Sequence, residues 1–220
     1  MLSIIKSIVQ KLSYIISPPY CANCRVSTKE RTIFCDTCFA KITPVTSIDI
    51  KIKNGYMVKI IAISDYKEPL RTLILAKKSS NYLASKQLGQ LMWQMTNLKN
   101  CDFDHIIPIP LHYLRKIKRG YNQTETMANV ISQYSKKPVE HVLKRRKITK
   151  YQLNLNKDER SENLKNAFEI KTYNTNKFKD KHILLVDDLY TTGSTVIAAS
   201  NELIKLTPKS ITVVVGCRVV

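Results

Sequence analysis

HILLVDDLYTTGST, residues 182–195, joins an apolar run to two acidic residues and then to a turn rich in hydroxyl groups. The run at residues 183–186 lacks the polar alternation of a half-exposed strand, so it predicts a buried strand of a parallel sheet. The residues after the turn predict a helix near 196–206. In open parallel sheets, ligands bind beyond the carboxyl ends of strands, where a loop leads into a helix. The stretch therefore predicts a ligand site in an α/β fold.

The residue types in this turn favour a phosphorylated sugar as the ligand. A helix N-terminus carries unpaired N–H groups and the positive end of the helix dipole, and both favour phosphate. Gly193 allows a close backbone approach or a positive φ angle. Asp187 and Asp188 can accept hydrogen bonds from a sugar diol and can help to hold a hard cation through water. Hydroxyl donors are supplied by Thr191, Thr192, Ser194 and Thr195.

Two other interpretations fit part of the same stretch. Ser, Thr and Asp favour helix caps, so the turn could simply end a strand and cap the next helix. An apolar run followed by two Asp residues could also be the metal-binding strand of a nucleotide hydrolase. However, the chain has only five glycines, and neither G-x-x-x-x-G-K-[ST] nor G-x-G-x-x-G can be written in it. That absence excludes the nucleotide-hydrolase interpretation.

The charge of the chain favours a large anionic partner. Its 220 residues carry a net charge of +19, with 36 Lys and Arg residues against 17 Asp and Glu residues. A small anionic substrate does not require this excess, which favours nucleic acid or an anionic membrane surface. A biased genome could also supply surface lysines without any partner. Arginine discriminates better, because its planar guanidinium suits phosphate. Five arginines cluster between residues 115 and 160: Arg115, Arg119, Arg145, Arg146 and Arg160.

Four cysteines form two C-x-x-C pairs that are separated by ten residues. This spacing is typical of zinc ligands rather than of a disulfide framework, and it indicates a cytosolic protein. Four thiolates leave no coordination position open, so the predicted role is structural, in a zinc ribbon too short to have a core of its own. A closed site of this kind could also serve as a platform for binding. The predicted ligands are Cys21, Cys24, Cys35 and Cys38.

Residues 1–17 place apolar side chains at helical spacing and predict an amphipathic helix. This helix could pack on protein, or it could lie on an anionic surface at the inner face of the membrane. It contains Lys6 and Lys11, has no small-residue cleavage site and is too short to span a bilayer, so neither a signal peptide nor a transmembrane segment is predicted. The predicted domains are this helix, a zinc ribbon at residues 18–45 and an α/β domain at residues 56–220, with the junction near residues 44–55.

Strand and helix patterns alternate through the larger domain, which predicts a parallel sheet with helices on both faces. The predicted strands are residues 57–63, 105–109, 139–143, 167–170, 183–186 and 211–216. The predicted helices are residues 69–77, 83–95, 124–134 and 196–206.

Three further segments carry recognisable patterns. Residues 107–111, I-P-I-P-L, form a rigid strand end and are followed by R-G-Y-N-Q at residues 119–123. Residues 144–150 form a basic connection that we interpret as a mobile flap. Residues 152–168 carry the spacing Q-x-x-L-x4-R-x-x-N-x3-A-F.

The stretch at residues 182–195 resembles the thirteen-residue motif of type I phosphoribosyltransferases. Together with the cysteine pairs and the three further segments, it resembles the ComF family, which joins an N-terminal zinc ribbon to a type I phosphoribosyltransferase-like domain. The resemblance covers nearly the whole chain from Tyr20 onward, and Tyr190 departs from it by replacing the usual aliphatic residue. It implies that Asp187 and Asp188 hold the ribose of 5-phosphoribosyl-1-pyrophosphate (PRPP) and its Mg²⁺. The implied 5′-phosphate contacts are Thr191, Thr192, Gly193, Ser194 and Thr195.

The resemblance gives Arg115 and Arg119 contacts with pyrophosphate or substrate, and the basic connection adds Arg145 and Arg146 as candidates for the same contacts. The alternative for residues 119–123 is structural, as a helix N-terminus with an Asn cap and a packed Tyr.

Two functions stay open. The domain could be an active phosphoribosyltransferase of nucleotide salvage or related base metabolism, which would catalyse by positioning and charge neutralisation. Alternatively, it binds PRPP or the 5′-phosphate of a nucleic acid, while the ribbon and a basic groove handle single-stranded DNA, with DNA-uptake proteins as partners. The resemblance favours this second function, because the ComF family is associated with DNA uptake in natural transformation, and the positive charge agrees with it.

Overall fold

The computed structural model describes residues 19–28, 30, 32–76, 81–111, 114, 117, 120–146, 167–171 and 175–219. Several predicted features lie outside these ranges, namely the N-terminal amphipathic helix, Arg115, Arg119 and most of the segment at residues 152–168. The described ranges form a mostly parallel sheet with helices on both faces and a four-cysteine cluster near the N-terminal end. This architecture confirms the predicted fold class.

Eight strands are described: β1 Ile48–Lys51, β2 Met57–Asp65, β3 His105–Pro108, β4 Leu143–Arg145, β5 Phe168–Ile170, β6 His182–Val186, β7 Leu189–Tyr190 and β8 Ser210–Arg218. The α-helices of the same ranges are α1 Asp36–Phe39, α2 Leu70–Ala76, α3 Tyr82–Met95, α4 Gln123–Ser135 and α5 Ser194–Leu203. Short 3-10 helices lie at Lys53–Gly55, Asn97–Asn100, Thr175–Phe178 and Ile204–Leu206.

The main sheet has the strand order β1-β2-β8-β6-β3, and β7 pairs with the end of β8. Strands β2, β8, β6 and β3 are parallel, whereas β1 is an antiparallel edge strand on β2. Parallel strands bring their carboxyl ends to one edge of the sheet, where ligands bind in open α/β folds. Strand β6 is central to that edge because it lies between β8 and β3.

Alternate residues of the strands enter two cores, one on each face of the sheet. On one face, Ile61, Leu184 and Val214 pack with side chains of α2, α3 and α4. On the other face, Leu185 and Val213 pack with α5 and with the small β4–β5 sheet. Each fully buried aliphatic side chain contributes roughly 1.5–3 kcal/mol to the stability. The cysteine cluster belongs to the first core, since its buried members are part of the same apolar cluster.

The predicted strand at residues 139–143 is wrong in position. Val139 makes an isolated parallel bridge to Ile106, and the strand β4 starts at Leu143 and pairs antiparallel with β5. The predicted strand at residues 167–170 therefore lies in a separate two-stranded sheet. The apolar residues at 139–143 look like one strand but belong to two cores. Val139 packs against the core on one face of the main sheet, whereas Val142 and Leu143 are buried in the core on the other face.

Residues 44–55, interpreted as a junction, contain the edge strand β1. Its alternating exposure is typical of a strand that faces solvent on one side. The domain boundaries themselves stay a prediction. Among the residues that the structure describes, no helix combines the length and the apolar character needed to cross a membrane.

Candidate functional site

The acidic pair follows β6 directly and is fixed by backbone hydrogen bonds. The N–H of Asp187 donates to the carbonyl oxygen of Val214 (3.1 Å), and the N–H of Gly216 donates to the carbonyl oxygen of Asp188 (3.1 Å). Asp187 is only 8% exposed, and its Oδ1 accepts the N–H of Asp188 over 2.8 Å. Asp188 is half-buried. The two carboxylates therefore differ in position. Asp187 is the inner one and supports the backbone, whereas Asp188 is the outer one and lies nearer to solvent.

The turn after the acidic pair leads into α5 through a left-handed glycine. Gly193 has φ +75° and occupies the N-cap position of α5, and its carbonyl oxygen accepts the N–H of Ile197 over 2.8 Å. The N-cap residue Gly193 has no side chain that could bond to the first N–H groups of the helix, and N–H groups at a helix N-terminus favour an anion. The hydroxyl oxygens of Thr192 and Ser194 lie 2.8 Å apart beside them. The hydroxyl groups of this turn and the N-terminus of α5 therefore follow the acidic pair within a few residues.

Tyr190, which departs from the motif, explains part of the need for glycine at position 193. A Cβ atom added to Gly193 would lie 2.7 Å from the Tyr190 hydroxyl oxygen and 3.0 Å from the ring carbon that bears it. The strand β7 holds Tyr190 in place, since it pairs with Arg218 and its carbonyl oxygen accepts the N–H of Val219. Burial raises the pKa of the Tyr190 phenol above its ordinary value.

The adjoining strand end, that of β3, is tied to α4. The carbonyl oxygen of Ile109 lies 2.5 Å from the hydroxyl of Thr124 and accepts the amide N–H of Asn122 over 3.4 Å. The Asn122 Oδ1 is itself 2.9 Å from the Thr124 hydroxyl. Asn122 occupies the N-cap position of α4, but its side chain makes no capping bond, because it serves this buried network instead.

The R-G-Y-N-Q segment has a structural role at two of its positions. Tyr121 packs edge-on against Tyr82, with 5.7 Å between ring centroids, and its hydroxyl lies 3.2 Å from that of Ser85. Asn122 supports the Ile109 carbonyl as described above. Arg115 and Arg119 lie outside the described residues, so their contacts with pyrophosphate or substrate stay a prediction.

Arg145 and Arg146 lie on and beside the β4–β5 pair. The Arg146 guanidinium pairs with the Glu169 carboxylate, which is also 3.4 Å from the ammonium of Lys144. The Arg145 guanidinium lies over the ring of Phe168, 5.4 Å from its centroid. The first residues of the predicted flap are thus ordered by contacts with β5. Their contact with a ligand stays a prediction.

One ion pair at the same edge of the sheet was not predicted. The Arg218 Nε at the end of β8 lies 3.0 Å from the Asp65 Oδ1 at the end of β2, and Arg218 also donates to the carbonyl oxygen of Thr46. These contacts hold the Arg218 side chain against its neighbours. In the sequence, the only indication of this ion pair is that residues of opposite charge lie at the ends of two predicted strands.

The four predicted metal ligands come together. The sulfur atoms of Cys21, Cys24, Cys35 and Cys38 all lie within 4.8 Å of one another, and those of Cys24 and Cys35 are 3.7 Å apart. Zinc–sulfur bonds of about 2.3 Å in a tetrahedron require sulfur separations of about 3.8 Å. The donor set and its spacing fit a closed four-sulfur site, so the cluster could hold a metal such as zinc.

The electrostatics of Cys21 suit a thiolate ligand. Burial alone would raise the pKa of its thiol, but hydrogen bonds from the backbone N–H groups of Cys35, Cys24 and Asn23 and from the Cys24 side chain together lower it to about 6. The turn formed by the first C-x-x-C pair is closed by the N–H of Arg25, which donates to the carbonyl oxygen of Cys21 over 3.1 Å. A thiolate is the form of cysteine that binds metal.

Comparisons with known proteins agree with this architecture. Residues 74–219 match the family model of the phosphoribosyl transferase domain. The chain is 33% identical to competence protein F of Haemophilus influenzae, over 87% of this chain and 79% of that protein. It is 25% identical to DNA utilization protein YhgH of Escherichia coli K12, over 90% of this chain and 83% of that protein.

A solved structure of lower similarity is the glutamine PRPP amidotransferase from B. subtilis complexed with ADP and GMP. The TM-score is 0.42 at 15% sequence identity, and the match covers 61% of this chain and 26% of that chain.

Proposed function

This chain belongs to the ComF family of phosphoribosyl transferase domain proteins, and from that membership we propose that it binds PRPP with Mg²⁺ and serves DNA uptake in natural transformation. The observation that carries the PRPP proposal is the order of parts at the carboxyl end of β6. There the acidic pair of Asp187 and Asp188 precedes the start of α5, where the N-cap residue is Gly193 and makes no side-chain capping bond. This arrangement supports a ligand with both hydroxyl and phosphate groups.

In the proposed complex, each part of the turn binds one part of the ligand. The outer carboxylate of Asp188 accepts hydrogen bonds from the ribose hydroxyls, while Asp187 holds the Asp188 backbone in place. The first N–H groups of α5 and the hydroxyls of residues 191–195 donate to the 5′-phosphate. Carboxylate and phosphate oxygens together form the hard donor set that Mg²⁺ prefers. When bound, the cation would neutralise charge on the pyrophosphate.

The four-cysteine cluster is proposed to hold structural Zn²⁺. Two of its members, Cys21 and Cys38, are only 0% and 3% exposed and lie in the apolar core that also contains residues of α2. Metal binding would therefore stabilise the contact between the ribbon and the larger domain. The compartment that suits these reduced thiols is the cytoplasm.

Handling of single-stranded DNA is supported by the net charge of +19 and by the names of the relatives. Binding that depends on phosphate neutralisation releases counterions and weakens steeply with salt. A labelled single-stranded oligonucleotide should therefore bind about 10³-fold or more weakly at 200 mM than at 50 mM salt. Binding that is insensitive to salt would contradict this part of the proposal.

Turnover of PRPP is the second candidate function, and the match of residues 74–219 to the transferase domain favours it. An active enzyme would release pyrophosphate from PRPP when the correct acceptor base is supplied. A screen of purine, pyrimidine and related bases for pyrophosphate release tests this function directly. Release that depends on one base would make the protein a transferase, and PRPP binding without release would make it a binding protein.

The test of the PRPP site is the substitution Asp188→Asn, with Asp180→Asn as the matched control. Asp180 is exposed and lies before β6, in a left-handed conformation that Asn adopts readily. Calorimetry should show that Asp188→Asn weakens PRPP binding at least about 10-fold, as loss of a charged hydrogen-bond acceptor predicts, whereas Asp180→Asn binds like the wild type. Binding of single-stranded DNA should persist in both variants. Unchanged PRPP affinity in Asp188→Asn would refute the site.

A further inference from the structure

The side chain of Asn23 connects the cysteine cluster to helix α2 by hydrogen bonds. It lies inside the first C-x-x-C pair, and its Nδ2 donates to the Sγ of Cys38 over 3.4 Å. Its Oδ1 accepts a hydrogen bond from the hydroxyl of Thr72, on α2, over 2.8 Å. Thr72 is 49 residues away along the chain, so the bridge joins the ribbon to the larger domain.

The chemistry of the two partners fixes the orientation of the Asn23 amide. A thiolate sulfur accepts hydrogen bonds and donates none, so the NH₂ group must face Cys38 when a metal is bound. The carbonyl oxygen then faces Thr72 and requires a donor there. The Thr72 hydroxyl supplies that donor, which prevents the amide from turning its oxygen towards the sulfur. Thr72 therefore acts on Cys38 through Asn23.

A competing acceptor lies on the other side of Thr72. The Oε2 of Glu68 is 2.5 Å from the Thr72 hydroxyl oxygen. A hydroxyl has one proton to donate, so Asn23 and the Glu68 carboxylate compete for it. A glutamine at position 68 could instead donate to the Thr72 oxygen and leave the Thr72 proton to Asn23.

A buried thiolate needs such a donor. Cys38 is 3% exposed and packs in the core beside α2, and four thiolates around one divalent cation carry a net charge of −2. Burial of charge is unfavourable unless hydrogen bonds compensate it. Groups that hydrogen-bond to metal ligands typically change metal affinity by about 10- to 100-fold when they are removed.

We propose that Asn23 is a positioning residue for Cys38 and that Thr72, from the phosphoribosyltransferase-like domain, sets its orientation, so that the larger domain helps the ribbon to retain its metal. This inference rests on the proposed binding of zinc by the cluster. By linkage, the metal stabilises the docking of the ribbon on α2 to the same extent.

The test begins with the zinc content of the purified full-length wild type. Protein that contains no zinc and binds none when it is added would contradict the metal assignment itself. With zinc bound, the affinity is measured by competition with a chromophoric chelator for the wild type, Asn23→Ala, Thr72→Val, Thr72→Ser and Glu68→Gln. The matched control is Thr28→Val, since the Thr28 hydroxyl also lies in the ribbon but donates to the carbonyl oxygen of Glu30.

Asn23→Ala and Thr72→Val should each weaken zinc binding about 10-fold, and the double variant should bind about as weakly as Asn23→Ala alone. Thr72→Ser keeps the hydroxyl and should bind like the wild type, as should Thr28→Val. Glu68→Gln should bind zinc at least as tightly as the wild type. If Asn23→Ala fails to fold, the comparison of Thr72→Val with Thr72→Ser still decides the question. Equal zinc affinity in Thr72→Val and Thr28→Val, or additive losses in the double variant, would overturn the proposal.

Discussion

The backbone N–H of Ile109 donates to the carbonyl oxygen of Val186 over 3.0 Å, immediately before the acidic pair. This bond fastens the exit of β3 to the exit of β6. The carbonyl of the same residue, Ile109, is held by Thr124 and Asn122 at the start of α4. The position of Asp187 therefore depends on Asn122 and Thr124, which lie more than 60 residues upstream in the chain. The segment that follows R-G thus has a supporting role at the candidate site.

Substitution of Thr124 should weaken this support. In Thr124→Val the buried carbonyl of Ile109 loses its shortest hydrogen bond, so the free energy of unfolding should fall by about 1–3 kcal/mol. Thr126→Val is the matched control, since the Thr126 hydroxyl makes a longer bond of 3.4 Å to the carbonyl oxygen of Asn122, at the N-cap of α4. Urea unfolding of both variants measures the difference. A loss in Thr126→Val as large as that in Thr124→Val would argue against a special role of the Ile109 carbonyl.

Gly193 should tolerate no side chain. Alanine at this position would suffer both the positive φ of 75° and the contact with the Tyr190 hydroxyl, so Gly193→Ala should lose more than the roughly 1–2 kcal/mol of a left-handed residue. Gly120→Ala isolates the conformational part, because Gly120 has φ +78° and, among the residues that the structure describes, no atom lies within 4 Å of an added Cβ. Thermal unfolding of the two variants separates the terms, and equal losses would show that Tyr190 does not constrain the turn.

Features that depend on neighbouring residues could be predicted from the sequence, whereas contacts between distant residues could not. Strand β6 and helix α5 were predictable because a continuous apolar run and a glycine-centred turn are local signals. The four-cysteine cluster was predictable from the spacing of its residues, and the family resemblance is confirmed by the relatives. The position of β4 was not predictable, because Val139 and Val142 contact different faces of the sheet and the apolar pattern merged them into one strand. Contacts such as that of Asn23 with Thr72 join distant residues, and no local pattern encodes them.

The contact of α3 with α4 depends on Gly89. A Cβ added there would lie 3.0 Å from the Met127 Cα and 3.1 Å from the Val130 Cβ, so the two helices would have to separate. Overpacking of this kind typically costs about 1–3 kcal/mol, which should exceed the gain of about 1 kcal/mol in helix propensity. Gly89→Ala should therefore lower the midpoint of urea unfolding. A variant with a higher midpoint would mean that the helices adjust without loss.

Asp104 should make stability depend on pH in the acid range. The hydrogen bond from the backbone N–H of His182 is the main cause that lowers the pKa of Asp104 below its usual 3.8. A lowered folded-state pKa stabilises the protein above the unfolded-state pKa, and this stabilisation is lost as the pH falls through the folded-state value. The wild type should therefore be more stable than Asp104→Asn at pH 7, and the difference should shrink below about pH 4.

The exposed residue Asp102 provides the control for net charge. Asp102→Asn should leave the difference between pH 7 and acid conditions nearly unchanged when chemical unfolding is followed by circular dichroism. A stability difference for Asp104→Asn that stays constant from pH 7 to pH 3 would contradict the role of the His182 hydrogen bond.

The binding of a phosphorylated sugar at the end of β6 is tested most directly by calorimetric titration of the wild-type protein with PRPP in the presence of Mg²⁺. We expect saturable binding of one PRPP per chain, which is weakened when Mg²⁺ is omitted and is competed by ribose 5-phosphate at higher concentration. No heat of binding under these conditions, together with unchanged thermal stability at millimolar PRPP, would contradict it.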